Sequence, residues 1–288
     1  FGTAMCILVM GFIPTAVAGE DETEILKITV GKPTKLSPVG NQNSTSLAVS
    51  RTGTVAAFYE GRYTPYYFYR ISNDAGLPWG PELTPPPLQH GGAACVALRD
   101  GGVIKVVASG STARGEAESR VAPMEGEFKD GWFTLHSTFA WFDDDFRHYE
   151  LAPVQVYMPD AVTTKQTQIP GVTSWPIFDK GKILQLPSGD LLAPMYGLFK
   201  GDTKSRVVLS RSSDRGHSWH YYATVAVNPN NPNPELLGQY IGFCESSIEI
   251  LSNGQMICVM RVQHSDQPNE YKPMYVCWSD DLGKTWTK

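Results

Sequence analysis

Ser72-Asn73-Asp74-Ala75-Gly76-Leu77-Pro78-Trp79, Ser212-Ser213-Asp214-Arg215-Gly216-His217-Ser218-Trp219 and Ser279-Asp280-Asp281-Leu282-Gly283-Lys284-Thr285-Trp286 spell one octapeptide, Ser-x-Asp-x-Gly-x-x-Trp. A worn fourth copy, Phe142-Asp143-Asp144-Asp145-Phe146-Arg147-His148-Tyr149, keeps Asp144 in the aspartate slot and an aromatic ring in the tryptophan slot. The copies start at 72, 142, 212 and 279, so the steps are 70, 70 and 67 residues. A near-constant period of this size marks one supersecondary unit repeated along the chain. Each copy reads as a tight turn between two strands. Its aspartate (Asp74, Asp144, Asp214, Asp281) accepts backbone N–H bonds, and its glycine (Gly76, Gly216, Gly283) supplies a positive φ without steric cost. The tryptophan (Trp79, Trp219, Trp286) then buries a large ring against the neighbouring unit. These residues are expected to stabilise the fold rather than to react.

Upstream of each copy lies an apolar hairpin with glycine at its tip. The four are Leu47 to Tyr59 around Gly53, Val96 to Val107 around Gly101-Gly102, Ile183 to Met195 around Gly189, and Ile248 to Met260 around Gly254. No helical period is sustained beyond two turns. Short β-rich runs with Gly, Asn or Asp tips at regular intervals predict an all-β fold, and about four strands per unit of this length is the strand count of a propeller blade. The expectation is a β-propeller with at least four blades.

The fold is expected to occupy residues 41–288, after a lead-in over 19–40. Residues 1–18 read as a secretory signal peptide whose own start is missing. Met5 to Ile13 is its apolar run, and Ala16-Val17-Ala18 is a small-x-small cleavage site before Gly19-Glu20-Asp21-Glu22. That run is too short to span a bilayer, so a secreted or periplasmic location is expected. Lys288 falls directly after the last copy, where a blade still needs a strand, so the remaining blades are expected to lie outside this sequence. The formal charge of −5, from 24 Lys and Arg against 29 Asp and Glu, argues against nucleic acid or an anionic membrane as partner. Cys95, Cys244, Cys258 and Cys277 allow three disulfide pairings, or serve as small buried hydrophobes. No spacing suits a metal ion, and no cofactor is implied. Gly110 to Gly131 reads as a long insertion, and Asn228 to Pro234 as a projecting loop.

The last hairpin carries a charged pair. A three-residue loop Ser252-Asn253-Gly254 places Leu251 opposite Gln255 and, counting back, Glu245 opposite Arg261 on one face. A two-residue loop at Asn253-Gly254 shifts the register by one and separates them. In the first register a carboxylate and a guanidinium lie side by side at the inner end of a blade. That pair is either a plain cross-strand ion bridge or part of a site.

Repeated octapeptides on blades of this size, behind an export signal, resemble the sialidase (neuraminidase) superfamily, whose members are six-bladed propellers with Asp-box (BNR) repeats. Leu47 to Arg62 resembles the family's first-blade hairpin, ending here in Glu60-Gly61-Arg62. Gly189 to Tyr196 resembles the third-blade segment ending in Pro-x-Tyr. Glu245 to Arg261 resembles the hairpin that carries two site residues. The resemblance implies an exo-α-sialidase type of glycosidase acting on a terminal acidic sugar of a glycan. In it Glu245 is the base for a tyrosine nucleophile, and Arg261 and Arg62 grip the substrate, with Tyr196 lining the site. The chemistry suits the residues: a guanidinium matches a carboxylate better than an ammonium does, and a phenol needs a nearby base to attack.

Departures are equally plain. The family's first arginine has no counterpart in Gln42-Asn43-Ser44-Thr45. The loop that usually bears the acid is Tyr63-Thr64-Pro65-Tyr66-Tyr67-Phe68-Tyr69, an aromatic run without a carboxylate, suited to stacking on sugar or to packing. The nucleophilic tyrosine and third arginine are expected beyond Lys288. Asp143, Asp145, Asp160 and Glu116 are substitute acids that spacing does not separate. His90 is placed to donate to a bound sugar, and Trp141 and Trp175 are either core rings or sugar platforms. Two other readings stand beside the sialidase: a non-catalytic propeller that binds glycan or protein, and a related propeller hydrolase or lyase with another sugar specificity.

Overall fold

A computed structural model describes residues 35–36, 42–61, 67–83, 94–108, 127–130, 132–161, 177–178, 182–202, 204–227, 240–264 and 274–287. Residues 1–18, read above as a signal peptide, nearly all of 19–40, Arg62, Tyr63 to Tyr66, His90, Glu116, Trp175 and Asn228 to Pro234 lie outside them. The described residues are all-β. The first blade holds β1 (Gln42–Val49), β2 (Val55–Gly61) and β3 (Tyr67–Ser72). The second holds β4 (Cys95–Ala97), β5 (Val103–Ala108), the short β6 (Glu127–Lys129), β7 (Trp132–Phe142) and β8 (Tyr149–Pro159). The third holds β9 (Ile177–Phe178), β10 (Leu184–Gln185), β11 (Leu191–Gly197), β12 (Arg206–Ser212) and β13 (Ser218–Ala226). The fourth holds β14 (Tyr240–Ile250), β15 (Met256–His264) and β16 (Tyr275–Ser279).

Within each blade the strands run as an antiparallel meander, β1-β2-β3, β4-β5-β7-β8, β10-β11-β12-β13 and β14-β15-β16. All four expected hairpins form, with Val49 opposite Val55, Ala97 opposite Val103, Leu184 opposite Leu192 and Ile250 opposite Met256. The outer strands β8 and β13 then pair in parallel over Ser218–Gln155, Trp219–Val156 and His220–Tyr157, which fuses the second and third blades into one continuous sheet. Within this sheet β11 is buried along its whole length, as a strand covered on both faces must be. By contrast β8 buries Val154, Val156 and Met158 and turns the alternate residues outward.

The octapeptides make a repeated clasp. In the third blade Ser212 Oγ donates to Asp214 Oδ1 (2.7 Å) and accepts from the Gly216 N–H (2.8 Å). The backbone N–H and hydroxyl of Ser218 both donate to Asp214 (2.9 and 2.6 Å), and Trp219 Nε1 donates to the Gly216 carbonyl (3.0 Å). Ser279, Asp281, Gly283, Thr285 and Trp286 repeat every one of these bonds. In the first blade Ser72 Oγ likewise accepts from the N–H groups of Asp74 and Gly76. The clasp explains its glycine twice over. Gly216 has φ +86°, and an added Cβ would lie 3.1 Å from Ile104 Cδ1 of the second blade; at Gly283 (φ +84°) it would lie 2.8 Å from Leu209 Cδ1 of the third. The clasps of the third and fourth blades are therefore blade-to-blade contacts.

The worn copy corrects one expectation. Its turn is shorter, Phe146 takes the left-handed conformation (φ 57°), and Asp143 rather than Asp144 accepts across it, from the Arg147 N–H (2.9 Å) and from His148 Nδ1 (2.9 Å). Asp144 instead accepts the Gly102 N–H of its own blade (2.8 Å) and reaches the first blade through Arg51 at the tip of its hairpin (3.3 Å). Arg215 makes the equivalent link one blade on, to Asp100 and to the Gly101 carbonyl (3.3 Å). Exposed ion pairs of this kind contribute about 0–1 kcal/mol each, so the apolar seams carry most of the junction energy.

Those seams are aromatic. Trp219, fully buried, packs against Phe139 and Phe178 with ring centroids 6.0 and 5.4 Å away. Phe58, Tyr69, Phe142 and Phe146 form a second cluster between the first two blades, and Tyr69 Oη donates to the Phe146 carbonyl (3.2 Å). The end of the aromatic run is thus used for packing: Tyr69 is buried, and Phe68 stacks on Tyr59. The tail of the supposed insertion is a short strand, with Lys129 of β6 opposite Trp132 of β7. The four described cysteines are free thiols buried in the sheets.

The clasp carboxylates set an acid limit. Backbone and hydroxyl bonds from Thr285 hold the Asp281 carboxyl at about 2. At Asp214 partial burial pushes upward, but the bonds from Ser218 and Ser212 outweigh it and the net shift is down. A carboxyl with a depressed folded-state pKa contributes stability that is present above its unfolded pKa, near 4, and lost as pH falls toward the folded value. Thermal stability is therefore expected to fall steeply between about pH 4 and pH 2, and Asp281→Asn should flatten that fall. An unchanged acid limb in the variant would contradict the clasp's role.

Candidate active site

The site is built on the β14–β15 hairpin. Its loop is the three-residue one: Gly254 sits at φ 84°, its N–H bonds the Leu251 carbonyl (2.9 Å), and Leu251 N–H bonds the Gln255 carbonyl (2.8 Å). From Ile250–Met256 to Ser247–Val259 the pairing follows the expected register. It then slips. A bulge at Glu245-Ser246 puts Cys244, not Glu245, opposite Arg261. Glu245 takes a left-handed backbone (φ 45°), a conformation an L side chain adopts only when its surroundings enforce it. Its carboxylate nevertheless reaches Arg261, with Oε2 2.6 Å from Nη1. The pair expected from sequence forms through a different register.

The cause lies one blade away. Gly242 of β14 (φ +130°) runs beside Ser205, just before β12, so closely that a Cβ would lie 2.4 Å from Ser205 N, O and Oγ. Phe243 N–H donates to the Ser205 carbonyl (3.1 Å), and Ser205 Oγ donates to the Phe243 carbonyl (3.0 Å). This strap pins the start of β14 to the third blade while the far end is held in hairpin register. The bulge takes up the one-residue mismatch, and Glu245 is the residue it turns. Neither Ser205 nor Gly242 was singled out from sequence. The available signal was a lone glycine inside a strand, which marks close backbone approach.

Arg261 is half exposed and Glu245 about one-third exposed at their side chains, so the pair faces solvent and is open to a ligand. The bond from Glu245 raises the Arg261 pKa further, against partial burial, with smaller contributions from nearby Cys244 and Tyr196. Arg261 is a permanent cation. Tyr196, buried near the end of β11, is thus brought close to the pair from the third blade. A guanidinium has five N–H donors, so bonding Glu245 through one nitrogen leaves a second edge able to take another carboxylate.

The other candidates separate by position. Asp143 and Asp145 lie in the turn of the worn octapeptide, at the hairpin-tip end of the blades, opposite to the Glu245 end of β14. Trp141 also belongs to the tip end, where it stacks on His217 (4.6 Å) and donates to the Arg215 carbonyl (3.0 Å). It is a junction ring. Asp160 follows β8 at the other end, and its carbonyl accepts the Lys200 N–H (2.6 Å). Among the described residues no group of three His, Cys, Asp or Glu converges as a metal cage would.

No protein-family model and no curated protein matches the sequence. Solved structures do. A Hadza microbial sialidase, 18% identical, superposes with a TM-score of 0.50 over 86% of this chain and 46% of its own. The chain has the sialidase-like propeller fold. A protein of unknown function from Dyadobacter fermentans, 16% identical, reaches 0.56 over 86% of this chain and 68% of its own. The α-L-arabinanase of Penicillium chrysogenum, 12% identical, reaches 0.53 over 84% and 63%. The chain therefore spans under half of the sialidase and under two thirds of the arabinanase. At such identities the likeness concerns the fold and leaves the reaction to the site.

Proposed function

We propose that the protein is an exported glycoside hydrolase of the exo-α-sialidase type, acting on a terminal acidic sugar of a glycan. The observation that carries this reading is the Glu245–Arg261 pair, 2.6 Å apart and open to solvent, on a backbone held in a strained conformation by a contact from the next blade. Left-handed non-glycine residues cluster where function requires a fixed side-chain direction. Arg261 supplies a permanent cation for the sugar carboxylate, and Tyr196 lines the approach. Glu245, whose carboxylate is steadied by Arg261, is suited to draw the proton from a phenol nucleophile. Arg62 is the second proposed cation, and His90 a proposed donor to the sugar. The signal-like residues 1–18 support export.

One observation favours a second reading. The loop Tyr63–Tyr69 has no carboxylate, and no arginine stands in Gln42–Thr45. A propeller that holds an acidic glycan without cleaving it needs neither. A panel of chromogenic glycosides, acidic and neutral, separates the cases. Release of the chromophore from an α-linked acidic sugar supports the hydrolase. Binding of the acidic sugar by calorimetry without release supports the binding propeller. Turnover confined to neutral sugars rejects both.

A further inference from the structure

The parallel ladder between β8 and β13 creates a surface that an ordinary pair of blades lacks. Because the second and third blades are fused there, the outward residues of β7, β8 and β13 form one uninterrupted face. Val154, Val156 and Met158 point into the core, so Gln155 and Tyr157 point out. Register places Thr134 of β7 and His220 of β13 on either side of Tyr157, and Ser218 beside Gln155. Three rings from three strands meet on this face. Tyr157 and His220 stack at 4.8 Å with 20° between planes, and Trp132 stands edge-on to His220 at 6.5 Å and 74°. Trp132 remains 39% exposed, and His220 is exposed.

We propose that this outward face is a binding surface for an uncharged polysaccharide, away from the Glu245–Arg261 pair. Single exposed aromatic residues are ordinary on a surface, but a contiguous exposed cluster marks a contact site. The ligand class follows from what stands among the rings. Trp132, Thr134, Gln155, Tyr157, Ser218 and His220 include no carboxylate, ammonium or guanidinium. At the margins Lys129 and Glu127 of β6 stand opposite Trp132 and Thr134, and Arg211 of β12, opposite His220, is ion-paired with Asp190. Charges of both signs therefore offset, and the patch offers a polyanion no cluster of cations. The Tyr157 hydroxyl donates to the Gln155 side-chain carbonyl, which orients that amide along the face between the rings and Ser218. Rings interleaved with neutral hydrogen-bonding groups complement a pyranose or furanose, whose C–H faces are apolar and whose edges carry hydroxyls. A protein partner would instead be met by a dry apolar centre.

The test is affinity electrophoresis of the whole chain in native gels cast with hydroxyethyl cellulose, linear arabinan, galactomannan or, as the polyanion, heparin. Retardation by at least one neutral polymer and not by heparin is expected, with about tenfold weaker binding in Trp132→Ala, as for loss of a ring anchor. His220→Ala provides a second variant should Trp132→Ala fail to fold, and Glu245→Gln should be retarded like the parent, since that residue belongs to the other site. Unretarded migration in all three neutral gels overturns the proposal, as does retardation by heparin alone. So does equal retardation of a folded Trp132→Ala, or sedimentation of the parent as a dimer that this substitution dissociates.

Discussion

Trp219→Ala is expected to destabilise the protein by about 3–5 kcal/mol, the range for deleting a large buried ring. The indole is fully buried, touches Phe139 of the second blade and Phe178 of the third, and closes its own turn through Nε1 to Gly216. Alanine leaves a cavity at a junction where the flanking backbone is held by the β8–β13 ladder and cannot collapse into it. It also leaves the Gly216 carbonyl without its indole donor. Since domains retain only about 5–15 kcal/mol in total, the loss is a large fraction. The midpoint in urea, at constant slope, measures it. The same change at the partly buried Trp286 should cost less. An unchanged midpoint in Trp219→Ala would remove the octapeptides from the account of stability.

Glu245→Gln is expected to lower kcat on an acidic glycoside by about 10²–10⁴-fold, the usual contribution of a positioned acid–base group. Melting should change little. Glutamine keeps the shape, the bulge and an oxygen for Arg261, while it loses the charge and the ability to take a proton. Glutamate is therefore tested as a base rather than as a strut. If kcat stays at the parent value and only KM moves, Glu245 acts through Arg261 and not in the proton transfer.

The hairpins could be read from sequence because each lies in local signals: alternating apolar residues on either side of a glycine that must take positive φ, as Gly53, Gly189 and Gly254 do. The clasps were legible for the same reason, since serine, aspartate, glycine and tryptophan satisfy one another within eight residues. The worn copy misled because Phe146 stands where glycine stands elsewhere, and the turn shortened by moving the accepting role to Asp143. Glu245 and Arg261 meet through their side chains, but not as the directly opposed pair expected. The bulge at Glu245-Ser246 depends on Ser205, which is 40 residues from Glu245 in sequence and supplies the steric wall behind Gly242. No local pattern encodes a contact of that kind. The fused β8–β13 face has the same origin: its rings are unremarkable strand residues until a parallel pairing brings them together.

The most direct test of the account is a crystal structure of the protein with an acidic monosaccharide bound. The prediction is a sugar carboxylate within hydrogen-bonding distance of the Arg261 guanidinium, Glu245 on its other side in the left-handed conformation, and Tyr196 alongside. A sugar bound elsewhere, or Glu245 extended and turned away from Arg261, would contradict it.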